Sequence, residues 1–164
     1  MATNMTRHLS LLSLLFFAFV PFHLTWAPPP ALTWVDSRLP ASMESDILTY
    51  VNEDRKQHGL AALQINAVES AIALKHSQNM AMGKVAFGHG GLNNRAKAIR
   101  KALGEISSVG ENVASGPMSA REVVDGWLNS PGHKRNIEGD FTLTGIGYAQ
   151  DKKGNIFFTQ IFSK

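Results

Sequence analysis

Gly110-Glu111-Asn112-Val113-Ala114-Ser115-Gly116 and, downstream, Trp127-Leu128-Asn129-Ser130-Pro131-Gly132-His133 form the stretch around which this chain is organised. A carboxylate in a run of small and apolar residues is costly to bury unless it is paired. If Glu111 faces inward, an imidazole is its natural partner. Between the two segments, Ser119-Ala120-Arg121-Glu122 matches a capping box, and Val123, Val124, Trp127 and Leu128 give the apolar face of the helix it opens. Pro131-Gly132 is expected to end that helix and to leave His133 just beyond it. Trp127 reads as core on the helix that positions Ser130.

Working outward, Ile106 to Val109 is expected to be a short strand leading into Gly110. Leu143 to Ala149 and Asn155 to Phe162 are strand-like, and Asp151-Lys152-Lys153-Gly154 between them is a hairpin signal. Upstream, Ile47, Leu48 and Val51 recur at helical spacing from Met43 to His58, with Ser42 or Ser45 as cap and Gly59 as terminator. Leu60, Leu63 and Ile65 make a short connection. Asn66 caps a second helix, about Ala67 to Gly83. Asn93 or Asn94 opens a third that runs to Leu103. Four helices, at least one strand before the fourth, and two closing strands predict an α/β layered domain with a small antiparallel sheet.

The totals narrow the function classes. At 164 residues and 44% hydrophobic, the chain is expected to form one domain with an ordinary core. The net charge of +3 permits contact with anionic envelope polymers. Lys and Arg are scattered, with no basic stripe and interleaved aromatics, so nucleic acid is not an expected partner. There is no cysteine, which excludes disulfides, zinc–thiolate sites and thiol nucleophiles. An exported domain without disulfides suits a bacterial envelope protein.

Arg7 and His8 precede an apolar run from Leu9 to Val20. That run has the length of a signal-peptide core and falls short of the roughly 20 residues a spanning helix needs. Residues 1–27 are therefore read as a signal peptide, or as an N-terminal anchor if Pro28 blocks cleavage. Residues 28–40 read as a proline-rich, semi-rigid linker. The globular domain is expected over 41–164, secreted or held in the periplasm or cell envelope.

Three groups are candidates for chemistry: His89, Glu111 and His133. His89 sits in Phe87-Gly88-His89-Gly90-Gly91, where glycines open access to a cleft or simply make a surface turn. His58 is expected at the surface at a helix end, where a cation is favourable. His76, alone on a helix, reads as structural or solvated. Two histidines and a glutamate suit a divalent metal with an open position, or a buried hydrogen-bonded network without catalysis. Ser130 with His133 invites a hydrolase reading, yet there is no Gly-x-Ser-x-Gly elbow. Asn112 and Asn136 are expected to tie loops to backbone groups.

Phe87-Gly-His-Gly, Gly110-Glu-Asn-Val-Ala, Gly126-Trp-Leu-Asn-Ser-Pro-Gly-His-Lys-Arg-Asn-Ile and Gly145-Ile-Gly-Tyr-Ala occur in this order. With Asn52-Glu-Asp-Arg55 and His58-Gly-Leu60 they resemble the CAP superfamily, in its short bacterial SCP-like form, over roughly Ser42 to Phe162. The resemblance implies an α-β-α sandwich with a small, mainly antiparallel sheet between helices. It also implies a central cleft of His89, Glu111, Ser130 and His133, with His89 and His133 as ligands for zinc or another divalent cation. Ser130 stands where many members carry a second acid. The expected function is an exported binding domain for an envelope, lipid or protein ligand. Two rivals remain: a metal-assisted hydrolase with Glu111 as general base, and a structural domain acting through exposed loops.

Overall fold

The computed structural model describes residues 42–164, so the leader and linker assigned to residues 1–27 and 28–40 lie outside the described residues. The first helix, α1 (Met43–Gln57), starts where the Ser42 side chain accepts from the Ser45 N–H. Its charge order suits the helix dipole, with Glu44 and Asp46 in the first turn and Arg55 and Lys56 in the last. A two-residue strand, β1 (Gln64–Ile65), follows where only a connection was expected. The Asn66 side chain accepts from the Val68 and Glu69 N–H groups and opens α2 (Ala67–Ala81). Next come α3 (Leu92–Leu103), β2 (Val109–Gly116), α4 (Ala120–Leu128), α5 (Pro131–Ile137), β3 (Leu143–Gln150) and β4 (Ile156–Ser163).

Two sequence expectations need correcting at the centre. The strand near Gly110 is longer and later than Ile106–Val109, and it carries Glu111 itself. Pro131 does not close a helix. It opens α5, because its missing N–H falls where no helical partner exists. His133 therefore sits on a helix rather than past one. The N-terminus of α3 also differs: Gly91, at φ +81°, occupies the cap position in place of Asn93 or Asn94.

The sheet runs β1-β3-β4-β2, with β1 and β3 parallel and the remaining pairs antiparallel. One face packs on α2, which also touches α3; α1, α4 and α5 form the layer on the other face. This is the α-β-α sandwich. The larger core lies on the α1/α4 face, where Trp127, Phe158 and Phe162 are fully buried with Ile47, Val51 and Val124. On the α2 face Ala73, Ile99 and Ile161 make a smaller cluster.

Gly145 and Gly147 explain how close α2 lies to β3. A Cβ on either would come within 2.2 Å of the α2 backbone, at Glu69/Ser70 and at Leu74 respectively. On this face Glu69 is fully buried and accepts from the Ser163 hydroxyl, and burial pushes its carboxyl above the usual range.

Arg55 fixes the loop after α5. Its guanidinium is 2% exposed and donates to the carbonyls of Ala61, Ile137, Gly139 and Phe141. The end of α1 is thereby tied to the segment joining α5 to β3.

Candidate functional site

β2 is an edge strand, and its outward groups are managed by side chains instead of another strand. Asn136 from α5 donates to the Glu111 carbonyl at 3.0 Å, and the Trp127 indole donates to the Val113 carbonyl at 3.3 Å. Asn112 donates to the His133 carbonyl at 3.1 Å and accepts from Asn136 at 2.8 Å. These bonds hold α5 against the edge of the sheet. Gly110 leaves room there: a Cβ would meet Asn136 Oδ1 at 3.0 Å and Phe141 at 3.1 Å.

Glu111 pairs in register with Ile161, which belongs to the α2-facing cluster, so its side chain points to that layer. The carboxylate is wholly buried. Arg95 of α3 grips both oxygens, Nε to Oε2 and Nη2 to Oε1, each at 2.7 Å. His89 Nδ1 lies 3.0 Å from Oε1. Since the carboxylate can only accept, Nδ1 carries a proton and donates it, which leaves Nε2 as the nitrogen that could serve as a ligand. The His89 side chain is 48% exposed, so this nitrogen belongs to the open side of the site.

Arg95 was not among the residues expected at the site. It also donates from Nη1 to the Gly90 carbonyl at 2.8 Å and to His76 Nδ1 at 3.2 Å. A guanidinium has no acceptor, which makes His76 Nδ1 the acceptor and leaves Nε2–H to donate to the Gly88 carbonyl at 2.9 Å. Burial holds the His76 imidazole below its usual range, and Arg95 adds to this, against the opposing pull of the Gly88 carbonyl. His76 is thus a neutral strut under the glycine loop that carries His89. An arginine four residues past the Gly90-Gly91 turn, on the first turn of a helix, was the only sequence signal for this grip.

His133 approaches from the other layer. Its ring centroid is 6.4 Å from that of His89, with the planes tilted by 47°. Burial lowers its pKa, and the neighbouring His89 lowers it further. The structure therefore brings His89, Glu111 and His133 together at the open edge of the sheet, from a loop, a strand and a helix. Ser130 is the N-cap of α5, three residues before His133, and its hydroxyl makes no capping bond. Beside His89 lies a shallow 440 Å³ depression bordered by Gly91, Leu92, Asn93 and Asn94. His58 is at the surface, as expected, as the C-cap of α1.

Comparison with known proteins places the fold. Residues 48–162 match the family described as CAP, the cysteine-rich secretory protein family. Among curated proteins, the chain is 33% identical over 127 residues to the uncharacterized protein YkwD of Bacillus subtilis, covering 76% of this chain and 48% of that one. It is 30% identical over 132 residues to the uncharacterized membrane protein YlbC of the same organism, covering 77% of this chain and 36% of that one. The chain thus spans about half the length of the first of these relatives and less of the second. Among solved structures, an extracellular protein of Bacillus anthracis containing an SCP domain superposes with a TM-score of 0.60 at 27% identity, over 73% of this chain and 39% of that one. An outer surface protein of Borrelia burgdorferi gives 0.62 at 23% identity, over 75% of this chain and 95% of that one, a likeness of fold.

Proposed function

This chain belongs to the cysteine-rich secretory protein (CAP) family, and from that premise we propose that it is an exported binding domain, not a hydrolase, whose cleft takes a divalent cation such as zinc through His89 and His133. One observation carries the reading. Glu111 is fully buried, bidentate to Arg95 and bonded to His89 Nδ1. A general base needs a free lone pair directed at the water it activates. Glu111 has both oxygens engaged and faces away from solvent. What it does instead is orient the His89 ring, the role that a carboxylate behind a metal-bound histidine performs.

The two rings need a small closure to share an ion. With metal–nitrogen bonds of about 2.0–2.1 Å and tetrahedral angles, the centroids would stand about 5 Å apart, against the 6.4 Å observed. Rotation of the half-exposed His89 side chain supplies that difference. Two imidazoles leave further coordination positions for water or a ligand group, and an envelope ligand would reach the ion across the depression beside Asn93 and Asn94. Export itself is supported by the apolar leader and by structural neighbours named as extracellular or outer-surface proteins.

Zinc titration into the full chain, followed by calorimetry, tests the reading. Binding at His89 and His133 should vanish in the His89→Ala/His133→Ala variant and weaken below about pH 6.5, where imidazole protonates. Zinc uptake at this cleft that is the same in both proteins removes the metal from the proposal. It would leave the Glu111–Arg95–His76 network as a purely structural tie between α2, α3 and β2.

A further inference from the structure

The other end of α5 holds a second group of ligand-type side chains. Asp54 and His58 stand four residues apart at the end of α1, on one face. Arg55 draws the end of α5 onto that face through the carbonyls of Ile137 and Gly139. Glu138, the C-cap of α5, arrives on the far side of the His58 ring from Asp54. Glu138 Oε1 is 3.2 Å from His58 Nε2, and Asp54 Oδ2 is 3.5 Å from His58 Nδ1.

Both carboxylate oxygens are shielded from solvent and accept no hydrogen bond. Among the described residues only four side-chain polar atoms are in that state, and two of them are here. An anionic oxygen without water or donor is unfavourable. Two such oxygens flank one imidazole, a donor set that a divalent ion would complete. The His58 ring is already oriented, since Nδ1 lies 2.9 Å from the Asp54 carbonyl. Nε2 is turned toward Glu138, and a backbone carbonyl behind Nδ1 is a usual support for a metal-binding histidine.

We propose that Asp54, His58 and Glu138 form a divalent-cation site distinct from the His89/His133 cleft. One imidazole and two carboxylates favour a borderline ion of the zinc type over calcium or magnesium. The three ligand atoms lie within 4.8 Å of one another. Closing on an ion with bonds of about 2.0–2.2 Å takes a side-chain adjustment, which the exposure of His58 and Glu138, 45% and 28%, allows. Lys134 Nζ, 3.6 Å from Glu138 Oε1 on a partly exposed side chain, is the cation the ion must displace. A bound ion would clamp the end of α1 to α5, the helix that carries His133.

The test uses zinc chloride and the full chain carrying His89→Ala and His133→Ala, so that the cleft cannot contribute. One equivalent should bind, and the His58 ring resonances should shift on binding. Adding His58→Gln or Glu138→Gln should weaken that equivalent at least tenfold. No zinc uptake by the cleft-deleted protein overturns the proposal, as does uptake that neither added substitution changes. If an added substitution unfolds the chain, the His58 resonances decide: unmoved by zinc, they identify a simple imidazolium held between two carboxylates. Loss of the cleft equivalent alone, or of this one alone, separates failure of one site from failure of the other.

Discussion

Arg95→Met isolates the interaction on which the cleft rests. The substitution keeps the length and apolar stem of the side chain and removes the charge. Glu111 then remains fully buried with His89 as its one charged or polar side-chain partner. Two charge-assisted hydrogen bonds at 2.7 Å are lost, each worth about 1.5–3 kcal/mol. Breaking one side of a buried pair generally costs about 3–5 kcal/mol, because the other charge is left without compensation. Arg95 is 12% exposed, so little solvent screening softens this. Bonds to the Gly90 carbonyl and His76 Nδ1 go as well, which loosens the loop presenting His89. The expected loss at pH 7 is therefore about 3–5 kcal/mol, measured by urea unfolding with a two-state fit. The sign of its pH dependence follows from the stranded carboxylate. In the variant, folded Glu111 holds a proton more readily than the unfolded chain does. The deficit should thus be full at pH 7 and shrink as pH falls toward about 4.5. Adding Glu111→Gln should recover part of the loss at pH 7. A deficit under about 1 kcal/mol, or one that stays constant between pH 7 and 4.5, would refute the view that Arg95 neutralises a buried charge.

Three other outcomes follow from the geometry. Gly147→Ala forces a methyl group to 2.2 Å from the Leu74 backbone nitrogen and should cost about 3 kcal/mol or more by urea unfolding. Gly126→Ala, with open space around it in the last turn of α4, should be neutral or stabilising by up to about 1 kcal/mol, and equal effects at the two positions would contradict the close α2–β3 approach. His76 and His133 both have lowered pKa values in the folded state, so their stabilisation is complete above the unfolded value near 6.5 and is lost as pH drops through the lowered values. Buried Glu69, whose carboxyl is raised, changes in the opposite sense. The His76 contribution is therefore read as the difference between wild type and His76→Gln across pH 7.5 to 5, and identical slopes would remove His76 from the account. Ser130→Glu places a carboxylate at the N-cap of the helix bearing His133 without sacrificing a capping bond, and zinc should bind the cleft about tenfold tighter by calorimetry; no gain would mean that position 130 does not face the ion.

The layered α/β fold was legible because its signals are local. The Ser119–Glu122 capping box, the Asn66 cap and the Asp151–Gly154 turn each act within four residues, and the structure contains all three. What was misread depends on distant groups. Pro131 looks like a terminator until α5 is known to pack on β2, where Asn136 donates to the Glu111 carbonyl and the Asn112 side chain donates to the His133 carbonyl. β1 has two residues and exists through parallel pairing with Leu143 and Thr144, far along the chain. At the site, the cost of burying a carboxylate indicated that Glu111 needs a partner and suggested an imidazole. It did not identify the arginine 16 residues upstream that takes both oxygens. His76 was set aside as a lone helix histidine, and nothing on its own helix shows that a glycine loop folds back over it.

The charge balance of the cleft sets what it can do. Arg95 offsets the charge of Glu111 behind the rings, and Ser130 adds no charge beside them. Burial holds the His133 imidazole below its usual range, and His89 turns Nδ1 to Glu111 and Nε2 to the open side. A divalent ion held there would keep its full double charge, with no anionic protein ligand in contact with it. Such an ion is held loosely, and its remaining positions favour an anionic oxygen over water. The ion would then act less as a resident cofactor than as the joint between the protein and an acidic group of its ligand. The same balance disfavours hydrolysis: a water on that ion would be acidified, yet Glu111 cannot turn to take its proton without giving up both of its hydrogen bonds to Arg95. The proposed reading is therefore one of binding and release, and zinc-dependent hydrolysis of a peptide or ester substrate that is lost in His89→Ala would overturn it.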